Sequence, residues 1–293
     1  MYKIVKSKEL QKTIERTALI RGIDPYSRSI CEALVKPAKE NTGIIFQVNG
    51  REIPANFRFI SNSETDYTTT LQKGNTKIKT VEHLLSAIWG LGIDNAVIEL
   101  NQGKIPFLDA AAYSYVKILK RAGGKKQNAY RKYLIFEKEK IFPYSLDLKR
   151  YAIFKPSQKL FIEAISKFSN IIGEQKFAHK WTPNVYVRDI SWARSFLNSP
   201  IPEGSSEKWE RIRKKIKVLP ENPKLSPIIV YTEKKYITPL KAPNECVRHK
   251  VLDFYGDIAL LGIRILAEIK LFMPGHDFNR EIVKLISKEI QDD

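Results

Sequence analysis

Val81-Glu82-His83-Leu84-Leu85-Ser86-Ala87-Ile88-Trp89-Gly90-Leu91-Gly92-Ile93-Asp94-Asn95-Ala96-Val97-Ile98-Glu99-Leu100 changes its apolar rhythm part way along. Residues 81, 84, 85 and 88 recur at the spacing of one helix face, which predicts a helix over Val81–Trp89. Thr80 stands where a helix cap would. Ala96–Leu100 is rich in β-branched and aliphatic residues and predicts a strand. Helix and strand therefore lie side by side in one short stretch, and the pattern repeats on both sides of it. Upstream, Ile44-Ile45-Phe46-Gln47-Val48 and Phe57-Arg58-Phe59-Ile60 read as strands. Downstream, Ala110 to Arg121 reads as a helix stopped near Gly123-Gly124.

The polar, glycine-bearing run Gly123-Gly124-Lys125-Lys126-Gln127-Asn128 reads as a linker. Beyond it, strands are expected at Tyr133–Phe136, Tyr151–Phe154, Leu160–Ile165 and Ile228–Tyr231. A helix from Ser206 to Leu219, capped by Ser206, carries Trp209, Ile212, Ile216 and Leu219 as one apolar stripe. A longer helix runs from Glu245 to about Leu261, with Asn244 as cap and Gly262 as stop. Strands and helices occur in both halves, so the fold class is α+β with an N-terminal domain over 1–124 and a C-terminal domain over 129–293.

The 293 residues suit one large or two medium domains, and 43% hydrophobic against 28% charged residues is ordinary for a globular chain. Ile258–Phe272 is too short and too charged to span a bilayer, and Met1–Lys6 lacks the apolar run of a signal peptide. Two distant cysteines, Cys31 and Cys246, give no disulfide framework and suit a reducing compartment such as the cytoplasm. The net charge of +18 draws phosphates, nucleic acid or an anionic membrane surface, or simply keeps the surface soluble. No nucleic-acid module accompanies it, so no specific nucleic acid is expected.

Chemistry concentrates around three of the four histidines. His249 and Asp253 stand four apart on the long helix, and Asp257 follows one turn on. Side chains at that spacing share a face, so an imidazole and a carboxylate could offer two ligands to a metal. The same spacing also describes an ordinary surface pair. Glu82-His83 falls in the first turn of its helix, where the helix dipole favours an ionised carboxylate. A solvated Glu–His pair would look the same. His276 follows the turn-like Pro274-Gly275 and could serve as an acid or base, or be an exposed loop histidine. His179 has no such neighbours and reads as structural or surface. His83, His249 and Asp253 would complete the three-ligand set of a catalytic zinc site, and iron suits the same ligands.

These segments resemble the UDP-3-O-acyl-N-acetylglucosamine deacetylases, the LpxC family. The resemblance lies in Lys79–Ala87 with Gly90–Ala96, in Val247–Asp253 with Gly256-Asp257, in Gly275–Asn279 and in Ile190–Phe196. The pieces occur in family order and cover nearly the whole chain. The resemblance implies two α+β domains whose helices pack between two β-sheets, in a monomer. It implies zinc on His83, His249 and Asp253, with Glu82 as general base. His276, oriented by Asp257, would stabilise the oxyanion and protonate the leaving amine. Ser195, standing for the family's threonine, would donate to the tetrahedral intermediate, and Lys250 and Phe196 would contact substrate. The implied substrate is a UDP-linked acylated amino sugar of lipid A biosynthesis, its acyl chain walled near the Trp209–Ile216 stripe. Simple core packing is the other reading of that stripe.

Several stretches depart from the family pattern. Asp24-Pro25-Tyr26-Ser27-Arg28 replaces Gly-Leu-His-Ser-Gly, and Asp109-Ala110-Ala111-Ala112 replaces Asp-Gly-Ser-Ala. Leu197 follows Phe196 where the family has glycine, and Met273-Pro274 replaces Lys-Ser. None removes a zinc ligand. Because they fall where substrate would be held, a deacetylase of a different N-acetylated, nucleotide-linked sugar is the alternative.

Overall fold

The computed structural model describes residues 2–61, 67–144, 149–168 and 171–291. The chain opens with a long strand β1 (Tyr2–Ile14), then β2 (Ala18–Ile23), β3 (Ile30–Pro37), β4 (Ile44–Val48) and β5 (Arg51–Pro54). A small hairpin, β6 (Leu71–Lys73) and β7 (Thr76–Ile78), leads into α1 (Glu82–Gly90), β8 (Ala96–Leu100) and α2 (Tyr113–Ala122). The second half runs β9 (Gly124–Phe136), β10 (Lys140–Pro143), β11 (Tyr151–Pro156), β12 (Phe161–Lys167), β13 (Glu174–Lys180), α3 (Pro183–Asp189) and α4 (Ser206–Lys215). It closes with α5 (Glu245–Ile258), β14 (Arg264–Phe272) and α6 (His276–Gln291).

Two sheets result. One has the order β2-β3-β8-β4-β5, and the other, seven-stranded, is built on β1-β9-β14-β11-β10 with β12 also on β14 and β13 on β12. Their strands alternate cleanly where one face is solvated. In β13, Gln175, Phe177 and His179 point inward and Glu174, Lys176 and Lys180 point out. Helices α1, α2 and α5 form a layer between them. α2 packs on β2, α5 packs on β12 and β13, and α1 and α5 pack on each other. Every residue of α1 is buried, as befits a helix covered on all sides.

The crossing of α1 and α5 is unusually close, and glycine makes it possible. A Cβ on Gly256 would sit 2.1 Å from the Glu82 carbonyl oxygen; separately, one on Gly90 would sit 2.3 Å from the Tyr186 ring of α3. The Ser86 hydroxyl donates to the Leu252 carbonyl at 2.7 Å and so needs no solvent. A cluster of charges ties the sheets together at the other end of α1. Asp94 accepts from Arg131 Nη2 at 2.6 Å and from Arg264 Nε at 2.9 Å. These residues stand after α1, on β9 and on β14 respectively.

Several expected elements differ. The linker over Gly123–Asn128 is strand instead: Gly123, at φ 78, ends α2, and β9 begins at Gly124. β9 pairs antiparallel with β1 from Ile14↔Gly124 to Tyr2↔Phe136, so the first strand of the chain crosses the boundary expected at 124–129. Phe57–Phe59 is a 3₁₀ turn capped by Asn56, not a strand. Residues 228–231 make isolated bridges, among them Ile229 with Phe196, instead of a strand. α4 ends at Lys215, and its cap position is Ser205. Thr80 is not the cap of α1: Val81 holds that position, and Thr80 itself lies at φ 60. Asn244 does precede α5, but its side chain binds Arg248 and the Lys176 carbonyl instead of capping. The Trp209 stripe packs into a second core with Leu197, Ile201, Ile229 and Tyr231.

Candidate active site

The close crossing sets the first turn of α1 against the middle of α5, and the candidate residues meet there. Nitrogen and oxygen atoms of His83, His249 and Asp253 lie within 4.8 Å of one another, all three buried. Asp253 Oδ1 is 3.2 Å from His249 Nε2 and 3.5 Å from His83 Nε2, while the two rings stand edge-on at 5.1 Å. His249 Nδ1 donates to the Ala193 carbonyl at 3.0 Å. That bond fixes the ring and leaves the Nε2 lone pair facing Asp253. Among the described residues, buried Asp253 Oδ1 has no hydrogen-bond donor. A buried carboxylate oxygen without a donor is costly, and two imidazole nitrogens facing it are the donor set a divalent ion of the zinc type takes. The residues present therefore fit a metal.

The remaining groups surround this trio. His276, the first residue of α6, places Nε2 3.6 Å from Asp253 Oδ2 and donates from Nδ1 to Asp257 Oδ2 at 2.9 Å. Asp257 also accepts from Asn279 Nδ2 at 2.9 Å and, on its other oxygen, from the Thr69 hydroxyl at 2.5 Å. Glu82 Oε2 accepts the Thr69 backbone N–H at 2.9 Å. Ser195 Oγ lies 3.2 Å from His249 Nε2 and donates to the Ala110 carbonyl at 3.1 Å. Lys250 Nζ stands 3.7 Å from Asp253 Oδ2 and lies over the half-buried Phe196 ring at 5.2 Å.

Burial and charge pull these groups in different directions. Burial pushes the Glu82 carboxyl up, against the opposing pull of His276 and His83. Burial alone would lower His276, but Asp257, Asp253 and Glu82 outweigh it and push the imidazole up to about 9. Burial takes His249 down to about 4. Asp253 is held well below the usual carboxylate range: burial opposes this, and His249 and His276 prevail. The cluster thus sets a proton acceptor and a protonated imidazole around the same buried carboxylate.

All nine expected site residues lie in or beside this cluster. Thr69 and the role of Asn279 were not foreseen. Asn279 sits in a recognisable segment, whereas Thr69 reaches Asp257 across 188 positions, and nothing in Thr68-Thr69-Thr70 announces that. His179 is structural, its Nε2 2.6 Å from the Tyr255 hydroxyl. A cavity of about 340 Å³ on the other side of α1 holds none of the nine; Trp89, Asp94, Arg131 and Arg264 are among its walls.

Two of the departing stretches keep a backbone that glycine normally serves. Arg28 lies at φ 62 and Ala110 at φ 55, both at positions where the resembled family has glycine. Left-handed backbone costs an ordinary residue about 1–2 kcal/mol, so both loops hold their shape against local preference.

The chain is similar to a group of known proteins. Residues 11–288 match the model of the family described as LpxC, UDP-3-O-acyl N-acetylglycosamine deacetylase. A UDP-3-O-acyl-N-acetylglucosamine deacetylase of Campylobacter hominis is 32% identical over 284 residues, covering 94% of this chain and 91% of its own. Proteins of the same name from Pseudomonas entomophila and Helicobacter hepaticus are each 30% identical, covering 95% and 94% of this chain and 90% and 89% of theirs.

Proposed function

Because this chain belongs to the UDP-3-O-acyl N-acetylglycosamine deacetylase family, we propose that it hydrolyses the N-acetyl amide of UDP-3-O-acyl-N-acetylglucosamine, releasing acetate, with zinc held by His83, His249 and Asp253. The observation that carries the reading is the donorless Asp253 Oδ1 facing two histidine nitrogens beside a buried Glu82. An ion in that position would polarise the acetyl carbonyl and lower the pKa of a water to about 7.

The chain's own groups supply the proton transfers. Glu82 accepts a proton from the attacking water as oxygen adds to the carbonyl carbon. Its buried carboxylate, held by the Thr69 N–H, has few competing partners. His276 enters the reaction as the proton donor, its Nδ1–H held by the Asp257 carboxylate at 2.9 Å. It stabilises the developing oxyanion and gives its Nε2 proton to the amine as the C–N bond breaks. Nδ1 stays bonded to Asp257, so the ring keeps its orientation through the transfer. Ser195, now donating to the Ala110 carbonyl, can turn its hydroxyl to the tetrahedral oxygen. Lys250 and Phe196, at the edge of the cluster, would receive the polar head and the acyl part of the substrate. The site would act in the cytoplasm, and among the described residues no helix is long and apolar enough to cross a membrane.

The test is acetate release from UDP-3-O-acyl-N-acetylglucosamine by metal-loaded protein. Glu82→Gln is expected to lower kcat by about 100- to 10,000-fold while keeping one metal per chain, and His249→Ala to lose the metal. Equal activity in wild type and Glu82→Gln would sink the proposal.

A further inference from the structure

Thr69 is fully buried and tied at each of its polar atoms. Its carbonyl accepts from the Val81 N–H at 3.1 Å, at the start of α1. Its own N–H donates to Glu82 Oε2 at 2.9 Å, and its hydroxyl donates to Asp257 Oδ1 at 2.5 Å. The same hydroxyl lies 3.4 Å from His276 Nδ1. On either side the segment is held in place: Arg280 of α6 donates to the Thr68 carbonyl at 2.7 Å, and the Ser61 N–H donates to the Thr70 carbonyl at 2.9 Å. One residue therefore touches the carboxylate proposed as base and the carboxylate that orients the proposed acid. These two otherwise belong to separate helices.

We infer that Thr69 is a positioning residue that holds Glu82 and the Asp257–His276 pair in a single frame. The inference rests on the deacetylase reading above. The two carboxylate oxygens of Asp257 are divided between tasks. Oδ2 takes His276 and Asn279, and Oδ1 takes only Thr69 among the hydrogen bonds of the described residues. Without the hydroxyl, Oδ1 is a buried acceptor with no donor, and the carboxylate gains by rotating toward another one. Such a rotation turns the His276 ring with it. Catalytic geometry is steep in this respect, since a misplacement of about 1 Å can cost about 100-fold in rate. The backbone contact to Glu82 does not depend on the side chain, so removing the hydroxyl disturbs the acid side and leaves the base side in place.

The experiment compares Thr69→Val, Thr69→Ala and Thr69→Ser with wild type on the UDP-linked substrate, with metal content measured in parallel. Valine keeps the shape and lacks the hydroxyl. Alanine and serine both lose the methyl and differ only in the hydroxyl, so their comparison stands even if valine does not fold. Thr69→Val and Thr69→Ala are expected to lower kcat at least tenfold, with KM and metal content within twofold of wild type. Thr69→Ser should recover to within threefold. Equal kcat in the alanine and serine variants would overturn the inference, since the hydroxyl would then do nothing. Wild type that holds metal but releases no acetate would overturn the deacetylase reading itself, and this inference with it.

Discussion

The imidazole of His179 sits between Phe177, stacked at 5.1 Å, and the Tyr255 hydroxyl. Burial, aided by Arg248 against Asp189, takes its pKa down to about 4. In the unfolded chain the ring titrates near 6.5. Between those values the unfolded state binds a proton that the folded state does not, so stability is complete above pH 6.5 and falls as pH drops toward 4. The shift corresponds to roughly 3 kcal/mol. Urea unfolding at pH 7 and pH 4.5 should therefore show a larger acid loss in wild type than in His179→Gln, which keeps a polar partner for Tyr255. An identical acid loss in both would show that this ring is not the cause. At the same scale, the candidate site was largely readable in advance. His249 and Asp253 stand at i and i+4 of one helix, a spacing that predicts the face they share, whereas only the family resemblance joined Glu82 and His83 to them. Thr69 was not readable, because its role depends on where a loop runs in space and not on its neighbours in sequence.

At the scale of elements, the α1–α5 crossing carries the site. Gly256 is the contact point, and an added methyl there meets the carbonyl oxygen, carbonyl carbon and Cα of Glu82 at 2.1, 2.7 and 2.9 Å. These are all backbone atoms, which cannot swing aside as a side chain would. Gly256→Ala is expected to destabilise the fold on the order of 3 kcal/mol and to move Glu82 with the helix. Chemical denaturation and acetate release would both fall; a variant with the wild-type midpoint and rate would show that the helices separate freely. α1 was legible from its apolar spacing and α5 from its flanking Asn244 and Gly262, to within a few residues at their ends. The short pieces were less so. Phe57-Arg58-Phe59-Ile60 has the composition of a strand but turns, because Asn56 accepts from the Arg58 N–H and closes a 3₁₀ cap. Gly123–Asn128 has the composition of a loop but forms strand, because β1 lies ready to pair with it. In both, local preference yields to a partner that composition does not reveal.

Across the whole molecule, Asp94 joins the two sheets. It follows α1, and it binds Arg131 of β9 and Arg264 of β14, while Glu9 of β1 meets Arg131 from outside at 2.8 Å. Arg131 and Arg264 are 5% exposed. Asp94→Asn would leave buried Arg264 without its counter-charge and Arg131 with only the exposed Glu9, and the loss should be about 3–5 kcal/mol, read as a lower unfolding midpoint; an unchanged midpoint would mean that water reaches the pair. The seven-stranded sheet that these arginines belong to has one further property. Its edge strand β1 precedes the five-stranded sheet in sequence, and its partner β9 emerges only after residues 15–123 have been made. During synthesis on a ribosome, that strand waits with an open edge while the five-stranded sheet, α1 and α2 appear. The first half is thus an insertion between two neighbouring strands of the second, and cutting the gene at residue 124 would yield two fragments that each lack a strand the other holds.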